Sequence, residues 1–133
     1  MRASFGWAPI ALGAVAGLLL MVVAGSFGTA LLWLGARMGW ETGETAIWIV
    51  LTLSLLVGEF AAGYVAGRLG APMASGFNGS LAALGLFAVF ASLSLVSGSP
   101  AGPLTLAGFA LVAAIIGHLA GAFGGRTRPT DQT

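Results

Sequence analysis

Four long apolar segments separated by short loops constrain this chain more than any other feature. A helix needs about 20 residues to cross the roughly 30 Å hydrocarbon core of a bilayer. The four segments, residues 8–34, 45–69, 76–96 and 103–124, all reach that length. The loops between them contain helix breakers, in "GARMGWETGET", "GAPMAS" and "SGSPAGP". Because short loops make successive helices antiparallel, the sequence predicts an all-α, polytopic four-helix bundle that spans a membrane.

The composition requires lipid as the main solvent of the chain. Of its 133 residues, 58% are hydrophobic and 7% are charged, against about 25% charged in soluble proteins. A domain of this size buries only about 60–70% of the surface that its unfolded chain exposes. We predict one transmembrane domain, residues 1–125, and a short polar tail, residues 126–133. The first apolar run continues to Leu34, past the h-region of a signal peptide, so we expect a retained span.

Composition also argues against several functional classes. The net charge is +1 and the arginines are scattered, which does not favour nucleic-acid binding. The chain has no cysteine, and its one histidine, His118, has no partners for a metal centre. "ASGFNGS" and "GHLAG" loosely resemble the serine and histidine segments of rhomboid-type proteases, with Ser75 or Ser80 as nucleophile. Those proteases need six helices, so we expect no enzyme, no metal and no cofactor.

The distribution of arginines favours one orientation in the membrane. One predicted side carries four arginines and the other carries one arginine and two glutamates. By the positive-inside rule, both termini are then cytoplasmic, and the expected location is the inner (plasma) membrane. Arg68 and Arg126 are the predicted cytoplasmic anchors of the second and fourth helices. The side with four arginines carries Arg2, Arg68, Arg126 and Arg128, and the opposite side carries Arg37, Glu41 and Glu44.

Small residues four positions apart predict how the helices pack. In lipid no hydrophobic force drives helices together, so glycines that let two backbones approach supply van der Waals contact instead. We expect these tracks to serve helix packing rather than nucleotide binding. The predicted packing residues are Gly13, Gly17, Gly63, Gly67, Gly121 and Gly125, with a similar line at Gly85, Ala88 and Ser92.

The second and fourth helices end alike. "EFAAGYVAGR" aligns with "GHLAGAFGGR" at four of ten positions, and both end in G-x-x-x-G-R. A duplicated helical hairpin, with both copies in the same orientation, would explain this repetition.

Two ionisable side chains fall inside predicted spans. Glu59 lies nine residues before Arg68, and His118 eight residues before Arg126, which places both about 12–14 Å along a helix from the same membrane face. At about 100° per residue, each shares its helix face with small residues.

Intramembrane ionisable residues are by default functional candidates. Three alternatives stay open: a structural Glu59/His118 polar pair, a proton or cation site at Glu59 with His118 as relay, or contact of Glu59 with a partner subunit. Nearby, we expect Tyr64 at the interface and Asn78 bonded to backbone at the start of the third helix.

The stretch around Arg68 resembles a family of small four-helix bacterial membrane proteins of unknown function. The matching pattern is AGxxAGR, then a histidine or asparagine before glycine, then a glycine-spaced third helix. The family usually has histidine at the position of Asn78. A glutamate at the position of Glu59 is not associated with the family. The resemblance implies an inner-membrane protein without assigned chemistry. The matching residues are Ala62, Gly63, Tyr64, Ala66, Gly67, Arg68, Gly70, Asn78, Gly79 and Gly85, with "GHLAGAFGGR" in the last span.

The sequence therefore favours a non-enzymatic integral membrane protein that self-associates or serves as an accessory subunit of a larger membrane complex. A small proton- or ion-coupled transporter or channel that uses Glu59 is the alternative.

Overall fold

The computed structural model of the chain describes residues 6–98 and 102–127. Four α-helices make up most of this part: α1 (Trp7–Arg37), α2 (Glu44–Leu69), α3 (Ser75–Val96) and α4 (Pro103–Arg126). A single 3₁₀ turn, Pro72–Ala74, joins α2 to α3. All four helices are long and apolar enough to span a membrane, which confirms the predicted all-α class and number of spans. Each helix end lies within three residues of its predicted position.

Backbone chemistry explains where the helices begin and end. Pro103 is in the first turn of α4, where its missing N–H breaks no helical hydrogen bond. Gly39 follows α1 with φ +84° and Gly98 follows α3 with φ +78°. These left-handed conformations are adopted readily by glycine and rarely by other residues, so both glycines allow a tight exit from the helix. The predictions for Arg2, Arg128 and most of the polar tail concern residues outside the described ones.

The helices form a bundle with α2 and α3 at its centre. α2 contacts all three other helices, while α1 packs on α2 and, less extensively, on α3. α4 packs on α3 and α2. α1 and α4 thus lie on opposite sides of the α2–α3 pair. We call the end of the bundle that holds Arg68 the Arg68 end, and the opposite end, with Trp48, the Trp48 end.

Glycines bring α1 close to α2. A Cβ on Gly13 would lie 2.7 Å from the Cβ of Ala66, and one on Gly17 would lie 2.7 Å from the Cβ of Ala62. These separations leave no room for a larger residue. Because residue numbers rise along one helix as they fall along the other, the two helices are antiparallel.

Glycines also hold α4 against α2 and α3. A Cβ on Gly63 would lie 2.7 Å from the carbonyl oxygen of Gly117, and Gly67 contacts the backbone of Gly121. A Cβ on Gly125 would lie 2.7 Å from Ser75 of α3. Close packing of small residues is therefore concentrated in the half of the bundle at the Arg68 end.

Large apolar side chains cover the outside of the bundle. Leu19, Phe27, Phe60 and Leu111 each expose half or more of their surface. In a protein dissolved in water this surface would be very unfavourable, whereas in a bilayer it contacts lipid tails. The buried core is instead made of alanines with a few larger residues: Ile10, Ala62, Ala66, Ala82 and Leu86.

Candidate functional site

Glu59 is buried inside the bundle on α2. Its side chain is 1% exposed, and its Oε2 atom has no hydrogen-bond partner within the described part of the chain. Two contacts indicate the helix that it faces. Gly70, just after α2, packs against Asn78 of α3, and Gly58 lies against α1 on one side and Leu86 of α3 on the other. Glu59 lies between these contacts along α2 and, at about 100° per residue, on nearly the same face as Gly70. The carboxyl group therefore lies in the α2–α3 interface.

His118 lies on the outer surface of α4, exposed. A Cβ on Gly76 of α3 would lie 2.7 Å from its Cε1 atom, so the imidazole covers this glycine. Among the described residues no hydrogen bond joins His118 to Glu59. The structure thus does not bring together the predicted Glu59/His118 pair.

Glu59 and His118 lie apart because of how α4 is rotated about its own axis. The sequence placed His118 on a packing face because Ala114 and Ala122 share that face. In the bundle, α4 instead buries the strip that contains Gly117 and Gly121, which meet α2 and α3 through their backbones. His118 is one residue, or about 100°, from Gly117, and this rotation moves it to the edge of the interface.

Arg68 and Tyr64 form a polar cluster at the Arg68 end. The guanidinium Nη1 of Arg68 donates to the Tyr64 hydroxyl at 3.0 Å, and that hydroxyl lies 3.1 Å from Oγ1 of Thr127. Thr127 also donates to the carbonyl of Gly124 at 3.0 Å. This chain of hydrogen bonds links α2 to the end of α4. Arg126, the second predicted anchor, lies exposed at the last position of α4.

Asn78 has a different environment from the predicted one. Its side chain is 2% exposed, and Oδ1 has no hydrogen-bond partner. Rather than bonding backbone at the start of α3, the amide packs on Gly70, the residue that follows α2. Gly70 lies eleven residues from Glu59, or roughly 16 Å along the helix, so the two buried polar groups are separate. The sequence carried no signal for this placement beyond the small residues around Asn78.

Two clefts open in the other half of the bundle. One lies between α2, α3 and α4, encloses about 410 Å³, and is lined by Trp48, Thr52, Leu55, Phe87, Phe90 and Phe109, among others. We call it the aromatic cleft. The second, between α1, α2 and α3, is wider and shallower. The aromatic cleft is lined mainly by large side chains, whereas the second cleft has several small residues in its lining, among them Gly25, Ser26, Ala30 and Ser54. Sequence reasoning missed them because they depend on how the helices diverge.

Within residues 6–98 and 102–127 no group of three or more histidine, cysteine or acidic side chains is placed to hold a metal ion. The chain matches no protein-family model, no curated protein and no solved structure. The resemblance to small four-helix bacterial membrane proteins therefore stays a hypothesis that depends on the residues quoted for it.

Proposed function

We propose that this protein is a non-enzymatic integral membrane protein that self-associates through the face of α3 and α4 that carries His118. One observation carries the proposal: the ionisable side chain of His118 lies exposed well inside a helix, whereas the other exposed ionisable side chains of the described residues lie near helix ends or in loops. His118 is eight residues before Arg126, about 12 Å inside the membrane-spanning part of α4. At that depth a polar group is stabilised by contact with protein rather than lipid.

The surroundings of His118 favour close approach of a second helix. Gly76, Ser80, Ala114 and Ala122 lie next to it on α3 and α4, and we call these residues with His118 the His118 patch. The Ser80 hydroxyl already donates to the Ala114 carbonyl at 3.0 Å, so it is satisfied within the chain. Small residues at a surface let another backbone come near, and a polar side chain among them adds an interhelical hydrogen bond.

A second copy of the chain is the partner that fits best. A neutral imidazole has one donor and one acceptor nitrogen, so two of them can bond each other. A two-fold axis perpendicular to the membrane keeps both copies at the same depth and brings the same patch together from each copy. Membership in a larger membrane complex, with another protein on this patch, is the alternative within the same class.

We further propose a location in the plasma membrane with both termini in the cytoplasm. The arginines at the Arg68 end support this orientation by the positive-inside rule. The matching ends of α2 and α4 also support an ancestral duplication of a helical hairpin, with α1–α2 and α3–α4 as the two copies.

The test is the number of copies per particle in lipid nanodiscs for wild type, His118→Leu and His118→Gln. We expect wild type to be a dimer and His118→Leu to dissociate more readily. Interhelical hydrogen bonds contribute about 0.6–2 kcal/mol, or about a three- to thirtyfold change in the dissociation constant. His118→Gln keeps a donor and an acceptor and should retain most of the association. Monomeric wild type, or equal dimerisation of all three proteins, would contradict the proposal.

A small proton- or ion-coupled transporter is the second candidate. The buried carboxyl of Glu59, whose Oε2 has no hydrogen-bond partner, favours it, because an unsatisfied buried polar group is costly and is often retained for a function. Proton and cation flux into proteoliposomes, compared between wild type and Glu59→Gln, tests it. Flux that the substitution abolishes would support transport, and no flux in either protein would argue against it.

A further inference from the structure

The aromatic cleft has the size and the lining of a small-molecule site. Its volume of about 410 Å³ is within the range of about 300–1,000 Å³ for ligand pockets. Four aromatic rings line it, from Trp48, Phe87, Phe90 and Phe109, and these come from three different helices. Aromatic faces attract organic cations through their ring quadrupoles, most strongly where water is excluded.

Glu59 lies one helical turn along α2 from a residue that lines this cleft. Leu55, one helical turn before Glu59 on α2, lines the cleft and is itself buried. Side chains on a helix lean toward its N-terminus, so the Glu59 carboxyl is directed toward the turn of Leu55. Phe87 of α3 is also buried and lines the cleft. A buried carboxyl group whose Oε2 has no hydrogen-bond partner among the described residues thus lies one helical turn from a buried residue that lines the cleft.

A second acidic side chain contacts one of the aromatic rings that line the cleft. The indole Nε1 of Trp48 donates to Oε1 of Glu44 at 3.2 Å. Glu44 is the first residue of α2 and is exposed at the Trp48 end. One acidic side chain therefore contacts a lining residue of the cleft, another lies one helical turn from a lining residue, and none of the lining residues is basic.

We propose that the aromatic cleft binds a monovalent organic cation with aromatic substituents, with Glu59 as the buried counter-charge. Without a cation the carboxyl keeps its proton, because an isolated carboxylate in apolar surroundings is far more costly than the neutral acid. On binding, the side chains of Leu55 and Phe87 move aside, one cation enters and the Glu59 proton leaves. The net charge of the site is unchanged by this exchange.

No other titratable side chain competes for this role within the described spans. α3 contains none, and the only one on α1 is Arg37 at its last position. On α4, His118 points outward beside Gly76. On α2 itself, Tyr64 is engaged with Arg68 and Thr127 at the Arg68 end. The inference is independent of the His118 contact and concerns the opposite half of the bundle.

The experiment measures binding of tetraphenylphosphonium to purified detergent-solubilised protein by equilibrium dialysis. Triphenylphosphine oxide serves as a neutral probe of similar shape. We expect one cation bound per chain, release of about one proton in weakly buffered solution, and binding of the neutral probe that is weaker by at least about tenfold. Glu59→Gln should lower the affinity for the cation by at least about tenfold and abolish proton release. Glu41→Gln, in the loop before α2, should change neither.

Phe109→Ala provides a second variant that leaves the α2–α3 interface intact, since Phe109 is on α4 and is 43% exposed. Loss of one ring should weaken cation binding by about three- to tenfold. Equal affinities for the cation and the neutral probe, or unchanged cation affinity in Glu59→Gln, would overturn the proposal. So would a cleft filled by a co-purified lipid chain, seen by native mass spectrometry, that tetraphenylphosphonium does not displace.

Discussion

Gly67 of α2 and Gly121 of α4 are in direct backbone contact, so that no side chain fits between them. Gly67→Ala places a methyl group against the Gly121 backbone, which cannot move without shifting α4. We expect a loss of about 1–3 kcal/mol in the free energy of unfolding, measured by titration with SDS in mixed micelles.

Gly108→Ala is the matched control for this substitution. Gly108 is also on α4, and nothing lies within 4 Å of the position that its Cβ would take. Its effect on the free energy of unfolding should stay within about 0.5 kcal/mol. Equal losses at both positions would show that the α2–α4 contact is not as close as described.

Replacing Glu59 by Met should leave the protein as stable or make it more stable, by up to about 2 kcal/mol. Met has a similar volume, and the substitution removes a buried polar group that lacks a partner. Leu86→Met, at another fully buried position, serves as a volume-conserving control that should cost less than about 1.5 kcal/mol. A loss above about 2 kcal/mol for Glu59→Met would mean that the carboxyl makes a stabilising bond that the structure lacks.

Glu59 and His118 should be energetically independent. In a double-mutant cycle with Glu59→Gln and His118→Gln, we expect a coupling energy below about 0.5 kcal/mol, as for residues that do not touch. A coupling energy above about 1 kcal/mol would restore the pair that the sequence predicted.

Single cysteines test the orientation, because the chain has none of its own. Met73, between α2 and α3, is 98% exposed, and Glu41 is exposed in the loop between α1 and α2. In intact cells a membrane-impermeant maleimide should label Glu41→Cys and should label Met73→Cys only after the membrane is opened. The reverse pattern would place both termini outside.

Helix positions could be predicted from the sequence, whereas helix rotations could not. The length and composition of residues 45–69 alone predict a membrane span, and the structure has a helix there, Glu44–Leu69. Glycine spacing also indicated faces that pack, such as that of Gly63. A chain with so many small residues, however, offers several such faces on each helix. His118 shares one face with Ala114 and Ala122, but the contacts of Gly117 and Gly121 decide which face of α4 turns inward.

The aromatic cleft was beyond prediction for a similar reason. Trp48, Phe87, Phe90 and Phe109 come from three different helices, and no motif in the sequence links them. Their convergence depends on how three helices pack against one another, which periodicity on a single helix does not reveal.

Cross-linking through α4 tests the central claim, that the His118 patch is buried against a second copy. Leu119→Cys places a thiol beside His118 at a position that is 64% exposed, and Val15→Cys places one on α1 at a position that is 54% exposed. In lipid vesicles treated with a membrane-permeant oxidant, we predict a disulfide-linked dimer for Leu119→Cys, little for Val15→Cys, and loss of the dimer when His118→Leu is added to Leu119→Cys. Equal cross-linking at both positions, or none at Leu119→Cys, would contradict self-association through this face.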